Sequence, residues 1–592
     1  MIDSFKHKAN EAALRKTELE KKSRNIAIVR VCLFIFFICG IIFFANSKML
    51  ALIYISIAAF MPTFILLLKF HQRTKAKKSF YHHLENLNQR EISRLEHKFN
   101  DLDGGTEFIN TNHNYSSDLD IFGDKSSLFQ LINHTTTIHG RKTLAKWLDN
   151  IPSKETITSR QRAIKELCKQ EDWCQKFETI GLSLSEKLKN KSKNIKVANI
   201  DKLSKWEKLA SYIMPISFLL TSLLCFSLDL SFYLVLIPVS ILFFTMKKKS
   251  MQLADLSKTI EEEHKQLEVY EKLFDEIEKK SFDEEYLNQI KAHFTKDNIK
   301  ASIAIKQLKN IVYLLNNRAN AFFPIFNFIF GLDLHYVSYL NQWNERYAQS
   351  IDSWLSKIGE MESLNSLAQN AIANPNQCYP KINDNRYFIS SSQLGHPLIA
   401  SSSRVSNDFQ LNGDGKLALI TGSNMSGKST FLRTIGINIA MAYAGGTVCA
   451  KAFEVSIMNL FTSMRTNDNL EENTSSFYAE LKRIESLINQ IKNDQMPTLF
   501  MLDEILKGTN SADRHKGAKA LILQLHEGNS SGFISTHDLA LGELAIDNHY
   551  IDNYHFSSDI DNDKLHFDYK IKKGVCESFN ASVLMKQIGI KI

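Results

Sequence analysis

The stretch Gly422-Ser-Asn-Met-Ser-Gly-Lys-Ser-Thr430 has the residue types and spacing that fold a backbone around an anionic phosphate. Gly422 and Gly427 let consecutive N–H groups converge, with Ser423, Asn424, Met425 and Ser426 between them. Lys428 adds a point charge, and Ser429, followed by Thr430, offers a hydroxyl to Mg2+. A chance Gly-rich turn has the same letters, so the flanks matter. Lys416-Leu-Ala-Leu-Ile-Thr421 reads as a short apolar strand, and residues 431–444 have helical character. Strand, loop and helix N-terminus would then point at the phosphates of a nucleoside triphosphate.

Hydrolysis of such a ligand needs carboxylates for the metal and for water. Thr498-Leu-Phe-Met-Leu-Asp503-Glu504 supplies two at the end of an apolar strand. Asp503 would hold the metal's water shell and Glu504 would polarise the attacking water. A third strand, Gly532-Phe-Ile-Ser-Thr536, ends in His537, whose ring could meet the γ-phosphate or orient the water. A lone histidine after a strand is more often a loop residue, so its role depends on the other two motifs.

Taken together these residues resemble the MutS ATPases. Residues 421–430 match that family's TGxNMxGKST loop, with Ser423 and Ser426 where Pro and Gly are usual. Gly445-Gly-Thr-Val-Cys-Ala450 is similar to its Gly-x-x-Val-x-Ala segment. Lys507-Gly-Thr-Asn510 is similar to its Arg-Gly-Thr-Ser segment with lysine for arginine, and Thr536-His537 matches its Thr-His pair. The resemblance implies ATP and Mg2+ as cofactors. It also implies a homodimer in which a signature-loop serine, Ser475 or Ser476, acts on the partner's nucleotide. By itself a Ser-Ser-Phe stretch reads as a helix N-cap. Phe409 lies near the place where an adenine would stack, and a core aromatic is an equal reading.

Upstream, Asp118-Leu-Asp-Ile-Phe-Gly123, residues 128–148 and Ser159-Arg-Gln-Arg-Ala-Ile164 resemble the opening of the family's helical core, and residues 358–368 resemble its return to the ATPase. The family's mismatch-reading module, with its Phe-x-Glu wedge, has no counterpart in residues 1–110. Phe274-Asp-Glu276 and Phe282-Asp-Glu284 carry the letters only within a charged helical stretch. A nucleotide engine without its mismatch reader is expected.

Apolar runs at 26–45 and 49–68, and at 209–228 and 230–246, form two hairpins long enough for a bilayer core of roughly 30 Å at about 1.5 Å per residue. Arg30 is their only charge, and it sits near an end, where it can snorkel. Residues 401–592 hold 19 basic and 22 acidic side chains, so the net +8 of the chain leaves +11 for residues 1–400. Residues 1–24 carry +3, 69–78 carry +5 and 247–249 carry +3, which accounts for all of it. The basic excess flanks the apolar runs, as expected if those flanks are cytoplasmic. It is no evidence for nucleic acid. The charged residues 1–25 argue against a cleaved signal peptide and for a retained anchor. Eight scattered cysteines without a CxxC pair disfavour structural zinc and disulfides.

The expected fold is an α/β P-loop ATPase domain, ABC-like as in the MutS C-terminal domain, preceded by an α-helical core and lever region that two transmembrane helical hairpins interrupt. The expected segments are 1–78 (first hairpin), 79–206 (helical core), 207–249 (second hairpin), 250–378 (helical lever) and 379–592 (ATPase). Two functions fit this chain. One is a MutS-like ATPase anchored in the inner (cytoplasmic) membrane as a multi-pass protein, its ATPase cytoplasmic, acting on double-stranded DNA in repair or recombination. The other is an ATP-driven membrane machine acting on a protein or lipid partner. Ionisable residues deep inside the spans would favour the second, and only Arg30 is present.

Overall fold

The apolar segments at 417–421, 498–503 and 531–536 all become strands of one sheet, and each is buried along its whole length. Strands covered on both faces need no polar alternation, which is why they read as continuous apolar runs. The computed structural model describes residues 1–183, 200–260, 263–295, 299–465, 476–561 and 564–576.

The strands are β1 (Lys381–Asn383), β2 (Phe388–Leu394), β3 (Asn407–Asn412), β4 (Leu417–Thr421), β5 (Ala452–Ser456), β6 (Asn459–Ser463), β7 (Thr498–Asp503), β8 (Ser531–Thr536), β9 (Ile551–Asp561) and β10 (Lys564–Lys573). They form a six-stranded sheet in the order β10-β9-β4-β8-β7-β6, and a four-stranded one in the order β1-β5-β2-β3. In the larger sheet β6, β7, β8, β4 and β9 run parallel and β10 is antiparallel. Register pairs Thr421 with Thr536 and Asp503 with Ser535, so the ends of β4, β8 and β7 lie side by side. Crevices beyond the carboxyl ends of parallel strands are where such sheets bind ligands.

The N-terminal part is helical. The Leu332–Ala373 helix has 42 residues, about 63 Å at 1.5 Å each. It packs along the Ile138–Asp149, Lys154–Cys168 and Glu171–Leu182 helices. Glu362 of that helix is buried and receives the backbone N–H of Thr136 (3.0 Å) and of Thr137 (3.2 Å), together with both hydroxyls. Asp118 makes the matching link to the sheet. Its carboxylate accepts the Thr462 hydroxyl at 2.7 Å and the N–H groups of Met464 and Arg465 at 3.1 Å.

Among the described residues, three helices are long and apolar enough to cross a membrane: Ile2–Asn46, Leu50–Leu95 and Lys205–Ser227. The first two extend beyond their apolar runs and pair as one hairpin, joined by Lys16–Glu85 and Lys78–Glu20 contacts of 2.5 Å. The fourth apolar run departs from the expected continuous helix. Residues 232–235 form a 3-10 turn, and the α-helix Leu236–Ile260 begins only after it. From Leu236 to Lys247 that helix covers only about 16 Å.

Candidate functional site

Thr421 is the last residue of β4, and the chain then turns sharply before the Lys428–Ala444 helix begins. Gly427, with φ at 107°, is the N-cap of that helix. An L side chain there would be strained and would press on the Tyr569 ring at 3.2 Å, so glycine is required. The helix N-terminus faces a cleft of about 390 Å³, lined among others by His396, Ile399, Val405, Lys428, Glu504 and Tyr569. Ligand clefts have volumes of this order.

Lys428 is buried, and its Nζ donates to the carbonyl oxygens of Gly422 and Ser423, both at 2.9 Å. Burial lowers its pKa, while the Glu504 and Asp503 carboxylates act to raise it. Ser423 and Ser426 are buried, and their hydroxyls have no hydrogen-bond partner among the described residues. Ser429, Thr430, Asn424 and Met425 all line the cleft, the last two as exposed residues.

Asp503 ends β7, and its carboxylate accepts the Ser535 hydroxyl from neighbouring β8. Glu504 follows in a left-handed conformation, φ 53°, with its N–H on the Ser535 carbonyl at 3.0 Å. One of its oxygens meets His537 Nε2 at 2.5 Å, and the other meets Lys507 Nζ at 3.0 Å. The His537 contact is the main reason its carboxyl is held down to about 2, with Lys507 adding to it against the effect of burial. His537 Nδ1 lies 3.0 Å from the Gly422 carbonyl, so both ring nitrogens face oxygen atoms. Gly422, Lys428, His537, Glu504 and Lys507 thereby form one polar chain across the ends of three strands.

The donor set fits a Mg2+-bound nucleoside triphosphate. Among the described residues, a lysine held by loop carbonyls and two unpartnered hydroxyls sit at a helix N-terminus, and two carboxylates lie at the end of the next strand but one. Ser429 and Asp503 have the oxygen chemistry Mg2+ takes.

Phe409 is elsewhere. It is 5% exposed, and its ring packs against Phe431, Phe533 and Tyr554 at 5.2–5.6 Å, so the core reading describes it. Ser475 lies outside the described residues. Ser476 is the first residue of the Ser476–Asn493 helix. Glu480 on that helix is buried and accepts the N–H groups of Leu506 and Lys507, tying the helix to the turn after Glu504.

Several site residues escaped the sequence reading. Ser535 was visible in principle, since it precedes Thr536-His537 on a strand parallel to the one ending in Asp503. Val405 and Tyr569 carried no signal, because only the fold brings them to the loop. His396 carried no motif that marked it. It lines the cleft, and burial lowers its pKa to about 4, so its ring is neutral near pH 7.

Residues 418–588 match the family profile described as MutS domain V. That likeness is confined to the C-terminal part of the chain. The DNA mismatch repair protein MutS of Methanococcoides burtonii is 31% identical over 229 residues, which is 37% of this chain and 25% of that protein. The one from Flavobacterium psychrophilum is 31% identical over 244 residues, 40% and 28% of the two chains. That from Clostridium kluyveri is 35% identical over 163 residues, 26% and 18%. The chain therefore spans about a quarter of the length of the curated relatives it matches. A helical N-terminal region followed by a MutS-like α/β domain with mixed sheets describes the molecule.

Proposed function

We propose that this chain is a membrane-anchored, MutS-like P-loop ATPase that binds and hydrolyses ATP with Mg2+ and acts on double-stranded DNA. The observation that carries the nucleotide part is the meeting of Lys428, Asp503, Glu504 and His537 at the ends of three adjacent parallel strands. Lys428 would exchange its loop carbonyls for the β- and γ-phosphates, and the loop N–H groups, with the unpartnered Ser423 and Ser426 hydroxyls, would complete the cradle. Ser429 and Asp503 would hold Mg2+, which neutralises charge on the phosphates. Glu504 would take the proton of the attacking water. A carboxylate held at about 2 is a weak base near neutral pH, so Glu504 must first leave His537 and Lys507, and the described contacts are those of a resting site.

A homodimer would complete each site with Ser475 or Ser476 of the other subunit. The DNA part draws on relatives named DNA mismatch repair protein MutS. Their match covers the C-terminal part alone, so mismatch selectivity is not carried over. The spans would hold the protein in the inner (cytoplasmic) membrane with both termini and the ATPase in the cytoplasm. A cysteine at Ser47 should then label from outside intact cells, and one at exposed Ser402 should not. The long exposed apolar helices favour a second reading, an ATP-driven machine working on a protein or lipid partner.

The deciding experiment measures Mg2+-dependent ATP hydrolysis by the detergent-solubilised protein, and its salt-dependent binding to homoduplex, single-mismatch and four-way-junction DNA with and without ATP. Affinity for DNA should fall with salt at a log–log slope of about −0.9 per neutralised phosphate. Hydrolysis without ATP-sensitive binding to any of the three DNAs moves the conclusion to the second reading. Absence of hydrolysis removes both.

A further inference from the structure

Residues 322–330, Phe-Phe-Pro-Ile-Phe-Asn-Phe-Ile-Phe, contain a short helix, Phe323–Phe330, whose outer face is left uncovered by the described residues. Phe322 is 66% exposed, Ile325 57% and Phe326 52%, and Phe328 and Phe330 are exposed too. So many large apolar side chains on little more than two helical turns is not what water tolerates on a monomeric protein.

The inner face of the same segment is built with care. Asn327 and Asp333 are buried and hydrogen bond reciprocally, the Asn327 amide donating to the carboxylate and the Asp333 N–H to the amide oxygen, both at 2.9 Å. Arg318 pairs with Asp333 at 3.0 Å and donates to the Ser250 carbonyl at 3.0 Å. This polar clasp holds the short helix against the Leu236–Ile260 helix, immediately after Lys247-Lys-Lys249. Beyond the clasp, Phe328 stacks on Phe243 at 5.1 Å, and Gly331 sits close enough to Leu242 that a Cβ would lie 3.0 Å from it.

These contacts act as a depth gauge. Phe243 and Leu242 precede the basic Lys247 by four and five residues, about 6–8 Å along a helix. A second gauge agrees. On the Lys205–Ser227 helix the exposed Trp206 and Lys208 have the character of a membrane interface, and Tyr212, four residues further in, meets His335 at 5.1 Å on the first turn of the Leu332–Ala373 helix.

Resting on the membrane reading of the second hairpin, we propose that the Phe323–Phe330 helix is a further membrane element, lying in the cytoplasmic leaflet with its Phe322/Ile325/Phe326 face in lipid just below the headgroups. The depth of about 6–8 Å is what interfacial helices reach, and eight residues are too few to span. The occupant of the face is lipid because its apolar surface continues that of the Lys205–Ser227 helix, with which it packs, and because cationic Lys247 and Lys248 sit at the level of anionic headgroups. The Leu332–Ala373 helix then starts at the bilayer surface, and near its other end Leu367 lies beside Gly446, so it links the membrane to the C-terminal domain.

The test uses the full chain in lipid nanodiscs, with exposed Cys32 and Cys39 replaced by serine and one new cysteine carrying an environment-sensitive fluorophore. Phe326→Cys should be quenched roughly twofold more by lipid spin-labelled at acyl carbon 5 than by lipid labelled at carbon 12, because of its shallow depth. Leu220→Cys, in the middle of a candidate span, should show the opposite order, and Ser402→Cys no quenching. Quenching at Leu220 with none at Phe326 overturns the proposal and leaves the spans intact. No quenching at either position overturns the membrane reading itself. Phe326→Cys that is unquenched and instead cross-links two copies assigns the face to a second subunit, which also overturns the proposal.

Discussion

The Lys428–Ala444 helix and the apolar half of the Ile2–Asn46 helix draw on the same residue types, Ile, Phe, Ala and a single Gly, yet their surroundings are opposite. Ile435, Ile437 and Ile439 are wholly buried between the sheet and the helical region, whereas Phe36 is 79% exposed and Ile42 56%. Gly436 and Gly40 make the same point. A Cβ at Gly436 would meet Leu119 at 2.7 Å, and one at Gly40 would meet nothing within 4 Å. Apolarity therefore has two uses here. In the C-terminal part it is consumed inside the protein and backs the loop at the carboxyl end of β4; in the N-terminal part it is left facing outward.

The largest effects belong to the rigid side. Lys428→Ala should lower ATP hydrolysis by about 10²–10³-fold or more and remove most nucleotide binding, since the loop N–H groups alone hold the phosphates weakly. Glu504→Gln should keep ATP binding and slow turnover by roughly 10²-fold or more. Binding assays beside steady-state rates separate the two. A wild-type rate in Lys428→Ala would mean that the buried helix carries no nucleotide at its N-terminus, and the comparison would lose its functional half.

Next comes the packing itself. Ile437→Ala should cost about 2–5 kcal/mol, the range for a fully buried side chain in a close-packed interior. Ile42→Ala in detergent should cost under about 0.5 kcal/mol, because exposed apolar atoms exchange one apolar neighbour for another. Denaturant midpoints of the two variants measure the contrast directly. Equal losses would mean that a protein partner covers the first hairpin.

What the sequence made legible follows the same divide. The loop, the Asp503-Glu504 pair and His537 were readable because their chemistry is local and parallel strands bring their ends together, as the Thr421–Thr536 and Asp503–Ser535 registers show. The lining of the cleft was not, because His396, Val405 and Tyr569 approach from strands and loops whose pairing no short motif encodes. Phe409, for which base stacking and core packing were equal readings, turns its ring inward against Phe431, Phe533 and Tyr554, a packing that no local motif encodes. On the apolar side, length was the signal and also its limit. It found the long runs, took 230–246 as one helix although 232–235 is a 3-10 turn, and passed over Phe323–Phe330, which is too short to register as a span.

A half-buried carboxyl sharpens the contrast from the polar side. Asp149 closes the Ile138–Asp149 helix, and burial lifts its carboxyl from the ordinary 3.8 to about 7. A folded-state value above the unfolded one means that the stabilising, protonated form is fully present below the unfolded value and is lost as pH rises through the folded one. Stability should therefore decline by about 1–3 kcal/mol between pH 5 and pH 8. Asp149→Asn should flatten that slope, as melting temperatures across the range would show. An unchanged slope in the variant would assign the pH dependence to another group.

The smallest effect is the finest test of the comparison, because it sets one chemical change in both surroundings. Glycine to alanine in a helix interior gains up to about 1 kcal/mol by restricting the unfolded chain and suiting the helix. At Gly40 nothing opposes that gain. At Gly436 the new methyl would press on both δ-methyl groups of Leu119, at 2.7 and 2.8 Å, and Leu119 is wholly buried beside Asp118, the residue that grips β6. Overpacking of this kind costs about 1–3 kcal/mol, so the net change at Gly436 should be destabilising by about 1 kcal/mol while Gly40→Ala is neutral or stabilising. Opposite signs in melting temperature support a rigid joint between the helical region and the sheet. A stabilised Gly436→Ala would mean that Leu119 yields, that the Asp118 segment slides over the Lys428–Ala444 helix, and that the joint between the two halves is a place of motion.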